Sequence, residues 1–294
     1  MSEPTPIDSA WLAANPVPTH GEGTNKNSRG RVLAIGGSRR VPGGLLLTGE
    51  AALRAGAGKL MLATIASAAP LLGVAMPEAG VTALAEDDAG EIATETEVLA
   101  AQTCRCDTMV VGPAISDRDA AARLVEQLLA DPTPEAGMVL DAAAVACAAP
   151  LCERLASTFG GRLVLTPHLG EMAALCECDE EEITRDREAV ALATAKRFGA
   201  VLVLKDSSTL VAAPDGKTLL RYAGGGVGMA TGGSGDVLAG VIAGLISRGA
   251  SPLVAAAWGV WLHGEAGRAL AMTLGPIGFL GRELLPQIPR LLPR

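Results

Sequence analysis

The feature that most narrows the possible folds is an alternation that persists from residue 31 onward, in which short β-branched or Leu-rich runs are separated by longer stretches of helical spacing. The runs at 31–35, 59–64, 108–111, 138–140, 163–165 and 201–204 read as strands, mostly buried. Residues 44–55, 118–129, 182–198, 236–247 and 252–271 read as helices, with Pro252 placed to suit a first helical turn. Repeated strand–helix units need right-handed crossovers, and these put helices on both faces of a largely parallel sheet. Residues 209–213 and 218–222 differ: separated by Pro214, Asp215, Gly216 and Lys217, they read as a tight hairpin. The expectation is therefore a three-layer α/β/α domain over 30–294, with a mostly parallel central sheet and a short antiparallel hairpin. Residues 1–29 are polar, carry Pro4, Pro6, Pro16 and Pro18, and read as an N-terminal arm followed by a loop.

Composition agrees with that architecture and excludes several functions. Apolar residues make up 49% but aromatics only 2%, so the core must be built from Ala, Val, Leu and Ile. The 36 glycines gather between the hydrophobic runs, which points to loop chemistry. A net charge of -8, with no basic runs or stacking aromatics, argues against nucleic acid or an anionic membrane as partner. No apolar run reaches the ~18 residues of a membrane span and no secretory leader is evident, so a cytoplasmic protein is expected. The cysteines occur as Cys104/Cys106, Cys147/Cys152 and Cys176/Cys178; none has Cys-x-x-Cys spacing, and reduced structural thiols are expected.

Open α/β sheets bind ligands outside the carboxyl ends of their strands, so the loops that follow the strands are the ones to read. Residues 228–240, Gly-Met-Ala-Thr-Gly-Gly-Ser-Gly-Asp-Val-Leu-Ala-Gly, crowd glycines and hydroxyls at the entrance of an apolar helix. They match neither the P-loop nor the Rossmann fingerprint. What remains is an anion hole from the amides of Gly232, Gly233, Ser234 and Gly235, with Asp236 planted among them. A carboxylate repels a bound phosphate, so its place there makes sense for taking a proton from an attacking hydroxyl or for holding a metal. The plain alternative is a helix cap on an ordinary loop. His168 and Glu171, in Thr-Pro-His-Leu-Gly-Glu over 166–171, follow another strand; each reads equally as a loop or helix-start residue. Lys205, Asp206, Ser207, Ser208 and Thr209 end a further strand and have the groups to bind a ribose or phosphate. Arg39 and Arg40 in the loop over 36–44 are available to an anion, and residues 112–116 form one more tight turn.

Taken together and in this order, these segments resemble the ADP- or ATP-dependent NAD(P)H-hydrate dehydratase family of the ribokinase-like superfamily. The likeness spans roughly residues 30–274, carried chiefly by 166–171 and 228–240 and supported by Gly36-Gly-Ser, Pro42-Gly43 and Leu262-His-Gly264. It implies repair of hydrated NADH or NADPH: the ring hydroxyl is phosphorylated by ADP or ATP, and phosphate then leaves to restore the reduced cofactor. By the same resemblance Asp236 is the base; Lys205, Asp206, Ser207, Ser208, Thr209, Gly232, Gly233, Ser234 and Gly235 bind nucleotide. Gly44, Ala114, His168 and Asp236 then lie against the hydrate. Mg²⁺ is implied, with Glu171 acting indirectly, as is a homo-oligomer, and the chain reads as the dehydratase half without an epimerase domain.

Several positions depart from the family pattern. Gly-Pro-Gly appears as Gly112-Pro-Ala114, Leu-Asp-Ala-Asp-Ala as Leu140-Asp-Ala-Ala-Ala144, Asn-Pro-Gly-Met as Gly226-Val-Gly-Met229, and Lys-Gly as Lys205-Asp206. Ala114, Ala143 and Asp206 motivate a second reading, a nucleotide-binding homologue with impaired catalysis; a third is a small-molecule kinase of the same superfamily acting on a vitamin precursor or sugar, because Asp236 and its anion hole would serve any hydroxyl phosphorylation.

Overall fold

In the computed structural model, which describes residues 3–21, 23–93, 96–131, 133 and 135–293, ten strands follow one another along the chain. They are β1 (Thr5–Pro6), β2 (Arg31–Ile35), β3 (Lys59–Ile65), β4 (Gly80–Leu84), β5 (Thr108–Val111), β6 (Gly137–Leu140), β7 (Leu163–Leu165), β8 (Val201–Leu204), β9 (Ser208–Ala212) and β10 (Leu219–Ala223). They form one sheet in the order β1-β10-β9-β8-β7-β6-β5-β2-β3-β4. Pairing is parallel from β8 through β4, and antiparallel where β9 meets β8 and β10. β5 to β8 are buried along their whole length, as expected of parallel strands covered by helices on both faces.

The six strands read from sequence and the hairpin are all present, the hairpin in the expected register with the bounds of each arm shifted by one residue. Its turn is held by Asp215, which accepts hydrogen bonds from the amides of Lys217 and Thr218 at 2.8 Å. The helix expected over 182–198 is two helices, Glu180–Arg185 and Arg187–Phe198. Asp186 breaks it, ending one helix and capping the next by accepting from the Ala189 amide, a role that suits aspartate better than a helix interior. Residues 1–29 hold more than an arm and a loop: β1 pairs with β10, Asp8 caps the Ser9–Ala14 helix, and Ile7, Leu12 and Val17 enter the core. β1 is two residues long and β4 is half-exposed, so neither carries a hydrophobic run that would mark it. All six cysteines are free thiols, and among the described residues no helix is long and apolar enough to cross a membrane.

Two consequences of the topology position the site. The strand order reverses between β2 and β5, opening a crevice at their carboxyl ends. The loops leaving them cross there, the Gly37 amide donating to the Pro113 carbonyl at 2.9 Å. Behind that crevice the Gly44–Arg54 and Ser234–Ser247 helices pack backbone to backbone. A Cβ at Gly240 would lie 2.1 Å from the Thr48 carbonyl oxygen, and one at Gly244 2.5 Å from that of Ala52. Only glycine allows this approach, and it brings both helix N-termini to the same crevice.

Gly240→Ala is therefore expected to destabilise the fold by about 2 kcal/mol in denaturant titration, even after the ~1 kcal/mol that alanine returns in helix propensity. Gly73→Ala, where a Cβ would meet Val81 at an ordinary 3.6 Å, should be neutral or stabilising.

Candidate active site

Three adjacent parallel strands each deliver a charged side chain from the carboxyl end. Asp141 follows β6, His168 and Glu171 follow β7, and Lys205 follows β8. Asp141 is almost fully buried and accepts from the Thr166 hydroxyl at 2.6 Å. Lys205 Nζ lies 2.9 Å from Asp141 Oδ1 and 3.4 Å from Glu171 Oε2. Burial works against the lysine charge, but Asp141 and then Glu171 outweigh it and hold its pKa above the ordinary value. Burial likewise works against the Glu171 carboxylate, but the His168 hydrogen bond and the Lys205 charge leave its pKa lowered. Both groups are thus kept charged.

His168 caps the Leu169–Cys176 helix. Its Nδ1 accepts from the amides of Gly170 and Glu171 at 3.0 and 3.3 Å, which places the ring proton on Nε2, 3.2 Å from Glu171 Oε1. Glu171 Oε2 in turn accepts from the His168 amide at 2.8 Å, completing a capping box. Both carboxylate oxygens are engaged in this way.

Asp236 stands in the first turn of the Ser234–Ser247 helix, on the side of Gly44 and Ala114. A Cβ on Gly44 would lie 3.7 Å from Asp236 Oδ2 but only 2.7 Å from the Ala114 Cβ, so the alanine methyl covers the glycine closely. Ala114 adopts φ 60 to do so. Among the described residues nothing donates a hydrogen bond to the Asp236 side chain. Burial, then the Asp141 charge, push its pKa up to about 7, with Lys205 opposing and Glu171 adding to the rise. A carboxyl so poised, close to neutral pH, can accept a proton from a hydroxyl in the crevice.

Next to this crevice lies a cavity of about 680 Å³ whose lining includes His168, Lys205, Asp206, Ser207, Thr209, Ser234 and Gly235. Of the residues expected to bind nucleotide, these line it, apart from His168, which was expected against the hydrate. Ser208 does not line it: its carbonyl accepts from Arg187 on the opposite side of the strand, where alternation points it. Gly232 and Gly233 shape the helix entrance without lining the cavity, Gly233 at φ 84. Gly235 lines the cavity with its Cα open toward the charged cluster, since a Cβ there would meet nothing nearer than Lys205 Nζ at 3.5 Å. Asp206 is paired with Arg187 at 3.1 Å, which offsets the charge it adds. Arg39, in the loop after β2, is occupied by Glu86.

Asp141, Tyr222 and His263 belong to the site as well, although none was named as a site residue from sequence. Asp141 and His263 stood there only within the quoted segments 140–144 and 262–264. Tyr222 lines the cavity and donates to Glu265 at 2.9 Å. His263, from the long Pro252–Thr273 helix, bonds Ser234 Oγ through Nε2 at 2.9 Å, and burial pushes its pKa down to about 4. A neutral imidazole thus fixes the first residue of the glycine-rich helix.

Among the described residues no cluster of three His, Cys, Asp or Glu side chains could cage a metal. With both Glu171 oxygens engaged, the donor set fits a cation that arrives on a nucleotide and keeps its water rather than one bound by the protein alone.

A profile of the NAD(P)H-hydrate dehydratase family matches residues 32–290. The ADP-dependent (S)-NAD(P)H-hydrate dehydratase of Xanthomonas campestris pv. campestris is 46% identical over 288 residues, 98% of this chain and 96% of that protein. The protein of the same description from Bacillus subtilis is 30% identical over 275 residues, covering 94% and 93%. The solved structure of ADP/ATP-dependent NAD(P)H-hydrate dehydratase from Bacillus subtilis, co-crystallised with ATP/Mg²⁺, has the same ribokinase-like fold, with a TM-score of 0.79 over 99% of this chain and 98% of that one at 24% identity. With its family profile spanning most of the length and a relative this similar over nearly all of it, the chain belongs to the NAD(P)H-hydrate dehydratase family.

Proposed function

We propose that the protein dehydrates hydrated NADH or NADPH at the expense of a nucleotide, and that Asp236 is its catalytic base. ADP is the favoured donor, as the names of the two similar dehydratases indicate. The observation that carries the reading is the Asp236 carboxyl, its pKa raised to about 7, on the first turn of a glycine-rich helix between two spaces. One space, along Gly44 and Ala114, takes the hydrate. The other, along Lys205, Asp206, Ser207 and Thr209, takes the nucleotide.

The order of events follows from leaving-group chemistry. Hydroxide leaves a carbon poorly. Asp236 removes the proton of the ring hydroxyl as its oxygen attacks the terminal phosphoryl group, and the nucleotide departs one phosphate shorter. The amides of Ser234 and Gly235 and the helix dipole stabilise the charge on the group in flight. The lone pair of the ring nitrogen then expels phosphate, and a proton lost from the neighbouring ring carbon restores the reduced nicotinamide. Mg²⁺ bound to the nucleotide would neutralise phosphate charge near Asp236, with Glu171 kept to orient Lys205 and His168.

Four outcomes test this. Asp236→Asn should lower turnover by about 100- to 10,000-fold, followed as recovery of reduced-nicotinamide absorbance, because an amide accepts no proton. The same change should stabilise the fold at alkaline pH. The folded carboxyl titrates at about 7, well above the unfolded 3.8, so the folded wild type binds an extra proton between those values. Its stability therefore falls as pH rises through that window, by at most about 4 kcal/mol. Denaturant midpoints should then favour Asp236→Asn at pH ~8 and converge with wild type near pH ~4.

In the wild type, kcat/KM should climb tenfold per pH unit below about 7 and level off above it, as a base of that pKa requires. A flat profile would remove Asp236 from the role. Gly235→Ala should fold normally, since a Cβ there meets no protein atom nearer than 3.5 Å, yet lose nucleotide affinity in calorimetric titration. Unchanged affinity would place the nucleotide elsewhere.

A further inference from the structure

A second cavity, of about 540 Å³, lies at the opposite edge of the sheet, where the chain enters β2 and β3. Its walls include His20, Arg29, Arg54 and Arg248 together with the apolar Leu53, Pro289 and Leu292. Arg29 donates Nε and Nη2 to the Gly56 carbonyl, both at 3.2 Å. Arg248 donates Nη1 to the Ala55 carbonyl and Nη2 to that of Pro18, both at 2.8 Å. Gly56 adopts φ +105, and a Cβ there would stand 2.9 Å from Arg248 Nη1, so the glycine is what lets the guanidinium lie against the chain.

Carbonyl bonds fix a guanidinium in place without cancelling its charge. Among the described residues no carboxylate pairs with Arg29 or Arg248, and Arg54 alone of the three is bonded to one, Glu50. The end of the Gly44–Arg54 helix offers roughly half a negative charge, short of the two positive charges beside it. The excess acts on the neighbours: burial, then Arg29, hold Arg248 below the usual guanidinium value, and burial, then Arg248 and Arg29, hold His20 below that of imidazole. Arg248 Nε and His20 Nε2 are buried without partners. In a chain of net charge -8, this cluster carries an excess of positive charge among the described residues and faces a cavity.

We propose that this cavity binds a small phosphorylated molecule, its phosphate held by Arg29, Arg54 and Arg248 and its organic part resting on Leu53, Pro289 and Leu292. Each guanidinium has five N–H groups and spends only some of them on these carbonyls and on Glu50, which leaves donors for phosphate oxygens, and preorganisation by the carbonyls of Pro18, Ala55 and Gly56 reduces the entropy lost on binding. The site is separate from the crevice at Asp236, which opens at the other edge of the sheet.

The chain has three histidines, and only His20 lies here, while His168 and His263 line the cavity of the candidate active site. Proton NMR of the imidazoles thus reports the two places separately. The intact protein is titrated with inorganic phosphate and with phenyl phosphate at constant ionic strength, with chloride as the reference. Phosphate is expected to raise the His20 pKa saturably, because it offsets the two arginine charges, and phenyl phosphate to bind more tightly. Arg29→Gln and Arg54→Gln should each weaken the binding read at His20 by about tenfold, with melting temperature and the His168 and His263 responses unchanged. An equal His20 shift in chloride, a response confined to His168 and His263, or an undiminished His20 response in both variants would overturn the site.

Discussion

Lys205 brings one ammonium within 2.9 Å of Asp141 and 3.4 Å of Glu171, and its charge also acts on Asp236. Three carboxyl groups around one cation cannot all ionise cheaply in a buried setting. Asp141 and Glu171 hold direct contacts to the lysine and further hydrogen bonds from Thr166 and His168, whereas Asp236 has neither. The proton therefore resides most readily on Asp236. Its readiness to act as a base near neutral pH is a product of the whole cluster, and the cluster exists because β6, β7 and β8 run parallel and end side by side.

The same topology supplies the counter-charge. The Gly44–Arg54 and Ser234–Ser247 helices both begin at the crevice, so both positive dipole ends face the place where a phosphoryl group would sit. Their alignment depends on contact between backbones at Gly240 and Gly244. Ser234 is held from behind by the neutral His263, so the helix entrance is fixed by a hydrogen bond that adds no charge near Asp236. Stability deep in the helix pair and electrostatics at its mouth are thus properties of one packing arrangement.

Much of this was legible in the sequence because hydrophobic period and loop composition act locally. The buried strands and the long helices announced themselves, and Asp236, Gly235 and Lys205 stood out as charged or glycine-rich punctuation after them. What was hidden depends on distant partners. Asp141 becomes a site residue only because Lys205 and Thr166, from two other strands, meet it. His263 was read only as part of Leu262-His-Gly264, and its role at the helix entrance depends on its bond to Ser234. Ser208 illustrates the opposite error: adjacency in sequence put it with Ser207 and Thr209, but strand alternation turns it to the other face. β1 was hidden because two residues cannot display a period, and the helix break at Asp186 because a single capping residue weighs little against a long apolar pattern.

Two departures from the family pattern bear on whether this site is intact, the carboxylate added at Asp206 and the methyl added at Ala114. Asp206 adds a carboxylate beside the nucleotide cavity, and Arg187 neutralises it at 3.1 Å. Ala114 adopts φ 60, a conformation that costs a non-glycine residue roughly 1–2 kcal/mol, and its methyl closes on Gly44, where any side chain would collide. Ala142, at φ 51, carries similar strain one residue after Asp141. Non-glycine residues held in this region mark places that the surrounding structure over-determines, and both flank the strand ends that form the crevice. A site drifting out of use would be expected to relax such strain and leave the added charge unpaired. Here the strain is retained and the charge is paired, so the geometry favours a working dehydratase with a narrowed crevice over a catalytically impaired homologue.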